Sequence, residues 1–89
     1  SDINRTNFLK ITPNIVSSSA ELHYTSQKAA SIELHIFDLQ GRSISKLSMR
    51  VIAGDNKMTV QTSALSKGQY HAMIFDNGEK MAAATFVKQ

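Results

Sequence analysis

Apolar residues in this chain recur at every second position far more often than at every third or fourth, and turn residues interrupt them at intervals of about ten. A period of two places successive side chains on opposite faces of an extended backbone, so the sequence predicts short β-strands and offers no convincing helix. Residues 31–37 show it most clearly. There Ile32, Leu34 and Ile36 form one face, with Glu33, His35 and Phe37 on the other. Residues 20–25 divide the same way, Leu22 and Tyr24 against Glu21, His23 and Thr25, and residues 68–75 alternate Tyr70, Ala72 and Ile74 with His71, Met73 and Phe75.

Further strands are expected near residues 8–11, 43–51, 58–60 and 80–88. The first should end at Thr12-Pro13-Asn14, because proline cannot donate to a ladder. Asp38-Leu39-Gln40-Gly41 reads as a type I turn with glycine in the left-handed position that follows it in a hairpin. The return strand loses phase between Ile44 and the Leu47, Met49, Val51 series, as one bulged residue would make it do. Ala53-Gly54-Asp55-Asn56 should close that strand, and residues 62–67 should form a turn whose Leu65 plugs the bottom of the core. Asn77-Gly78 is the strongest short hairpin signal, since a type I′ turn needs positive φ at both central residues. Together these predict an all-β fold, an Ig-like antiparallel β-sandwich of about seven strands.

A chain of 89 residues has room for one modest core, and the absence of cysteine removes disulfides, a Cys-ligated zinc site and a thiol nucleophile. The net charge of +3 is spread along the chain without a cluster, which favours solubility over nucleic-acid binding. No run approaches the roughly 18 apolar residues of a helical membrane span. Residues 1–7 lack a basic stretch followed by an apolar one, so any secretory signal would have to lie upstream of Ser1.

Sequence-local chemistry is missing. The nearest approach to a nucleophile elbow, Gly41-Arg42-Ser43-Ile44-Ser45, lacks the second glycine and sits in a hairpin. Asp38, Asp55 and Asp76 each fall at an expected turn, where a carboxylate bonds its own backbone. The chain is therefore read as no enzyme, with no cofactor and no metal: His35 and His71 fall on neighbouring strands, but a third ligand is not evident. His35, Phe37, His71, Met73 and Phe75 should instead share one outer sheet face. Two readings stand for this stripe, a protein-docking or self-association face that includes a homodimer, and coverage by the N-terminal segment or a different sheet phase.

Five pieces of the sequence then meet a known pattern: Pro13-Asn14-Ile15, IFDLQGR at residues 36–42, Asn56 with Met58 and Val60, SALSKGQY at residues 63–70, and the closing Phe86-Val87-Lys88. In this order and spacing they resemble the C-terminal sorting domain of the type IX secretion system, from about residue 9 to the end. Ig-like modules of flagellar hook-cap proteins are similar too. Ile15 and Gln89 depart from the sorting pattern, which usually has Pro-Asn-Pro at the first position and often ends on the basic residue.

The resemblance implies an Ig-like sandwich that is an address, with residues 1–8 a linker or boundary segment and 9–89 the sorting domain. It implies an N-terminal cargo domain, recognition by the type IX outer-membrane translocon, and removal by a sortase-like cysteine peptidase. The route would run through the periplasm to the cell surface or the medium. Carried over by position, the recognition residues are Gly41 and Arg42 of the hairpin, Gly68 and Tyr70 of the G-x-Y strand, and Phe86, Val87 and Lys88 of the terminal motif. Arg42 and Lys88 are favoured as contacts, since an exposed cation beside a strand end adds little to folding, and the terminal strand is expected to offer a free edge. The alternatives are an Ig-like structural spacer and a carbohydrate-binding module of an exported protein.

Overall fold

The computed structural model describes residues 8–12, 15–16 and 18–89. The turn expected at Pro13 and Asn14 lies outside the described residues, as does the expected linker apart from Phe8. The strands in order are β1 (Phe8–Thr12), β2 (Ile15–Val16), β3 (Ser19–Ser26), β4 (Ala30–Phe37), β5 (Ser43–Val51), β6 (Gly54–Gln61), β7 (Gly68–Asp76) and β8 (Glu79–Lys88). They form a smaller sheet, β1-β3-β6, and a larger one, β2-β8-β7-β4-β5. All pairings are antiparallel except that of β2, two residues long, which runs parallel to the end of β8.

Alternation decides which side chains enter the space between the sheets. Ala20, Leu22 and Tyr24 of β3, Ile32, Leu34 and Ile36 of β4, and Tyr70, Ala72 and Ile74 of β7 are all buried there. Leu65 packs beneath them from the turn after β6, which a hydrogen bond from the Leu65 amide to the Thr62 carbonyl closes at 3.0 Å.

Both hairpins form as the sequence predicts. The Gly41 amide donates to the Asp38 carbonyl at 3.0 Å, and Gly41 takes φ +85°. Asn77 and Gly78 both have positive φ, 54° and 85°. The phase slip in β5 is a bulge: Ser43 pairs with Phe37 and Ser45 with Ile36, so Ile44 is the extra residue. A second bulge, not foreseen, leaves Met81 of β8 without a partner opposite the Ile74/Phe75 step.

Two expectations are corrected. Asp55 and Asn56 stand in β6, and only Ile52 and Ala53 separate the strands. Asp55 accepts the Thr25 hydroxyl across the ladder at 3.0 Å, so its carboxylate does not serve a turn. The end of β8 is also not a free edge, because Ile15 and Val16 pair with Val87 and Lys88.

Candidate functional site

The seven motif residues are scattered over more than half of the sequence, yet the ladders bring them to one end of the larger sheet. Phe37 pairs with His71, so the turn at residues 38–42 lies beside the start of β7. Gly68 pairs with Lys88, Gln69 with Val87 and Tyr70 with Phe86, which places the end of β8 there as well. β2 joins them through Val87 and Lys88.

The turn is held by the Asp38 carboxylate. Its Oδ1 accepts the backbone amides of Gln40 and Arg42, both at 2.9 Å, and its Oδ2 accepts Arg42 Nε at 2.8 Å. The Arg42 amide above all, helped by its guanidinium, holds the Asp38 carboxyl below its ordinary pKa of 3.8. The Arg42 side chain is 75% exposed even so, which leaves the rest of its guanidinium facing solvent.

Tyr70 and Phe86 are interior residues. Their rings stack at 5.5 Å with 20° between planes, both are buried, and the Tyr70 hydroxyl donates to the Ser66 carbonyl at 2.7 Å. Tying a tyrosine hydroxyl to the backbone four residues upstream pins the incoming loop to the strand. Lys88 is half-buried, its Nζ donating to the Leu65 carbonyl at 3.0 Å, so it is less available than the sequence suggests. Val87 is the residue of the terminal motif that points outward, 42% exposed. Sequence reasoning missed β2 and the loop carbonyls of Leu65 and Ser66. A two-residue bridge has no period to read, and a carbonyl acceptor has no side-chain signature.

The stripe of His35, Phe37, His71, Met73 and Phe75 does share the outer face of β4 and β7, which removes the alternative of a different sheet phase. His35 packs between two rings, Phe37 at 5.8 Å and Phe75 at 4.9 Å, and its Nε2 lies 3.1 Å from Glu33 Oε1. That bond, with Lys46 nearby, lowers the Glu33 pKa. The five are half-buried rather than fully exposed. Among the described residues no three His, Cys, Asp or Glu side chains converge as a metal cluster. The groups brought together suit contact with another macromolecule, through shape, one exposed cation and apolar surface.

A family described as the secretion system C-terminal sorting domain matches residues 10–89. No curated protein matches the sequence. Among solved structures, an immunoglobulin-like protein of Pseudomonas aeruginosa is similar at 12% identity, with a TM-score of 0.57 over 93% of this chain and 91% of that one. The CARDB domain of a Pyrococcus furiosus protein, solved in complex with di-metal ions, is similar at 14% identity and a TM-score of 0.54, over 94% of this chain and 86% of that one. The alkylpurine DNA glycosylase AlkC of Pseudomonas fluorescens gives 14% identity and 0.55 over 94% of this chain but only 30% of its own. At such identities these likenesses establish the Ig-like sandwich and nothing of ligand or activity.

Proposed function

Because the chain belongs to the family of type IX secretion system C-terminal sorting domains, we propose that it directs an attached N-terminal cargo through the outer-membrane translocon by presenting the gathered end of its larger sheet. The observation that carries this reading is the convergence of the motif residues on one end from three distant stretches of sequence. Within that end the residues divide by role. Tyr70 and Phe86 by burial, and Gly41 and Gly68 by their positive φ, hold the shape, while Arg42 and Val87 meet the translocon and Lys88 anchors the end of β8. After export a sortase-like cysteine peptidase removes the domain near its N-terminal boundary, releasing the cargo or leaving it at the cell surface. An Ig-like spacer would share the fold but would need none of these residues.

Deleting residues 86–89 is a poor test, because it takes Phe86 out of the core and conflates folding with recognition. Substitution at the exposed positions separates them. In a fluorescent reporter fused ahead of residues 1–89 and behind a signal peptide, Arg42→Glu and Val87→Asp together should cut translocon-dependent export by about tenfold or more. The purified domain should keep its melting temperature within a few degrees. Full export of the double variant would refute the assigned contact residues, and translocon-independent export of the unaltered fusion would refute the sorting role itself.

A further inference from the structure

The edge strand β5 combines three properties found together nowhere else among the described residues. It hydrogen-bonds to β4 alone, leaving nine residues of ladder edge open on its other side. Its inner face peels away from the core. Val51 is 3% exposed and Met49 half-buried, whereas Leu47 is 42% exposed although its cross-strand partner Leu34 is 1% exposed. Among the described residues, four of the six exposed large apolar side chains, Leu39, Ile44, Leu47 and Ile52, lie on this strand or beside its ends. Its charges are all positive: Lys46 and Arg50 point outward with Ser48, and the strand carries no acid.

We infer that β5 is a docking strand for an extended, acidic segment of a partner protein, whose side chains alternate between acidic and apolar. Added to the open edge, such a segment satisfies the free backbone groups. Its period of two sets apolar side chains over Leu47 and Met49 on the inner side and carboxylates beside Lys46 and Arg50 on the outer side. A lysine on an edge ordinarily guards it against unplanned pairing, and here that guard selects by charge. Among the described residues neither cation makes an ion pair. Lys46 feels Glu33 only at a distance, and Arg50 donates to the Ser31 hydroxyl at 3.2 Å. A second copy of this chain fits poorly, since antiparallel pairing of two β5 strands gathers four cations on one seam without a carboxylate from either strand.

β5 begins beside the gathered end, at Ser43, but Lys46, Leu47, Met49 and Arg50 lie further along the strand than the export contact Arg42, so the two roles are separable by substitution. Its test uses the whole 89-residue chain and a labelled nine-residue peptide that alternates valine with glutamate, read by fluorescence anisotropy and by backbone amide shifts. Saturable binding is expected, with shifts concentrated on residues 43–51. Lys46→Glu with Arg50→Glu should weaken it roughly tenfold or more while far-UV circular dichroism stays unchanged, and should let the valine-lysine peptide bind instead. Binding that ignores the double substitution, shifts centred on another edge, or no saturable binding would overturn the inference. Dimerisation through β5 in the absence of peptide would overturn the choice of occupant.

Discussion

β5 and β8 lie on opposite sides of the same sheet, yet the fold holds them in opposite ways. β8 is fixed through its packing: Ala82, Ala84 and Phe86 pack toward the core, β2 pairs with its last residues, and Lys88 reaches the Leu65 carbonyl. β5 is fixed at its two ends. The Asp38 carboxylate sets the turn that leads into it, and the Asn56 side chain locks the link that leads out, accepting the Ile52 amide at 3.0 Å and donating to the carbonyls of Tyr24, Ile52 and Gly54. Between those anchors it makes its ladder with β4 and little else. The contrast shows that an alternating pattern names two faces of a strand without saying whether either will be covered. Coverage depends on what the opposite sheet places there, and Leu47 is 42% exposed where Val51, two periods of the alternation further on, is 3% exposed.

The sharpest way to break the comparison is to truncate matched core-side residues on the two strands. Phe86→Ala should cost about 3–5 kcal/mol, because it empties a buried site and strips the stacking partner from Tyr70. For a domain this small such a loss is most of the folding free energy. Leu47→Ala, on a side chain already 42% exposed, should cost less than about 1 kcal/mol. Urea denaturation of the two variants decides it, and equal losses would mean that β5 is packed as tightly as β8.

An intermediate effect is expected at the exit of β5. Asn56→Ala removes the side chain that satisfies the Ile52 amide and several carbonyls, at a cost of about 1–3 kcal/mol. Amide hydrogen exchange should quicken most at Ile52 and the adjoining end of β5, with β8 protected as before. Uniform loss of protection over both strands would show that this anchor serves the whole sandwich and not β5 in particular.

Much of this arrangement was legible in the chain. The strand faces, both hairpin turns, the bulge at Ile44 and the plug at Leu65 follow from local rules: period two, positive φ at Gly41 and at Asn77-Gly78, and a phase slip. What escaped is non-local. Leu47 falls in phase with Met49 and the buried Val51, yet its exposure is set by the sheet opposite, which its own strand cannot report. Asn56 reads as a turn residue because its composition is right for one, although its amide stitches a turn from within β6. Lys88 reads as an exposed contact alongside Arg42, because nothing local reports the Leu65 carbonyl that half-buries it or the β2 pairing at the end of β8.

The entrance to β5 gives the smallest effect and a distinctive one, because it depends on ionisation. Asp38 has its pKa lowered in the folded chain, mainly by the Arg42 amide, so the unfolded state binds its proton more readily. The stabilisation is complete above the ordinary value of 3.8 and is lost as pH falls through the lower folded value. Asp38→Asn removes the charge at every pH but keeps an acceptor for the turn amides. The melting temperature of the unaltered chain should therefore exceed that of the variant by a constant margin from about pH 5 to 8, and the margin should close as pH falls toward about 2. A margin that persists unchanged in acid would assign the turn to neutral hydrogen bonds alone. The ion pair with the largely exposed Arg42 would then anchor nothing, and that guanidinium would be wholly free for a partner.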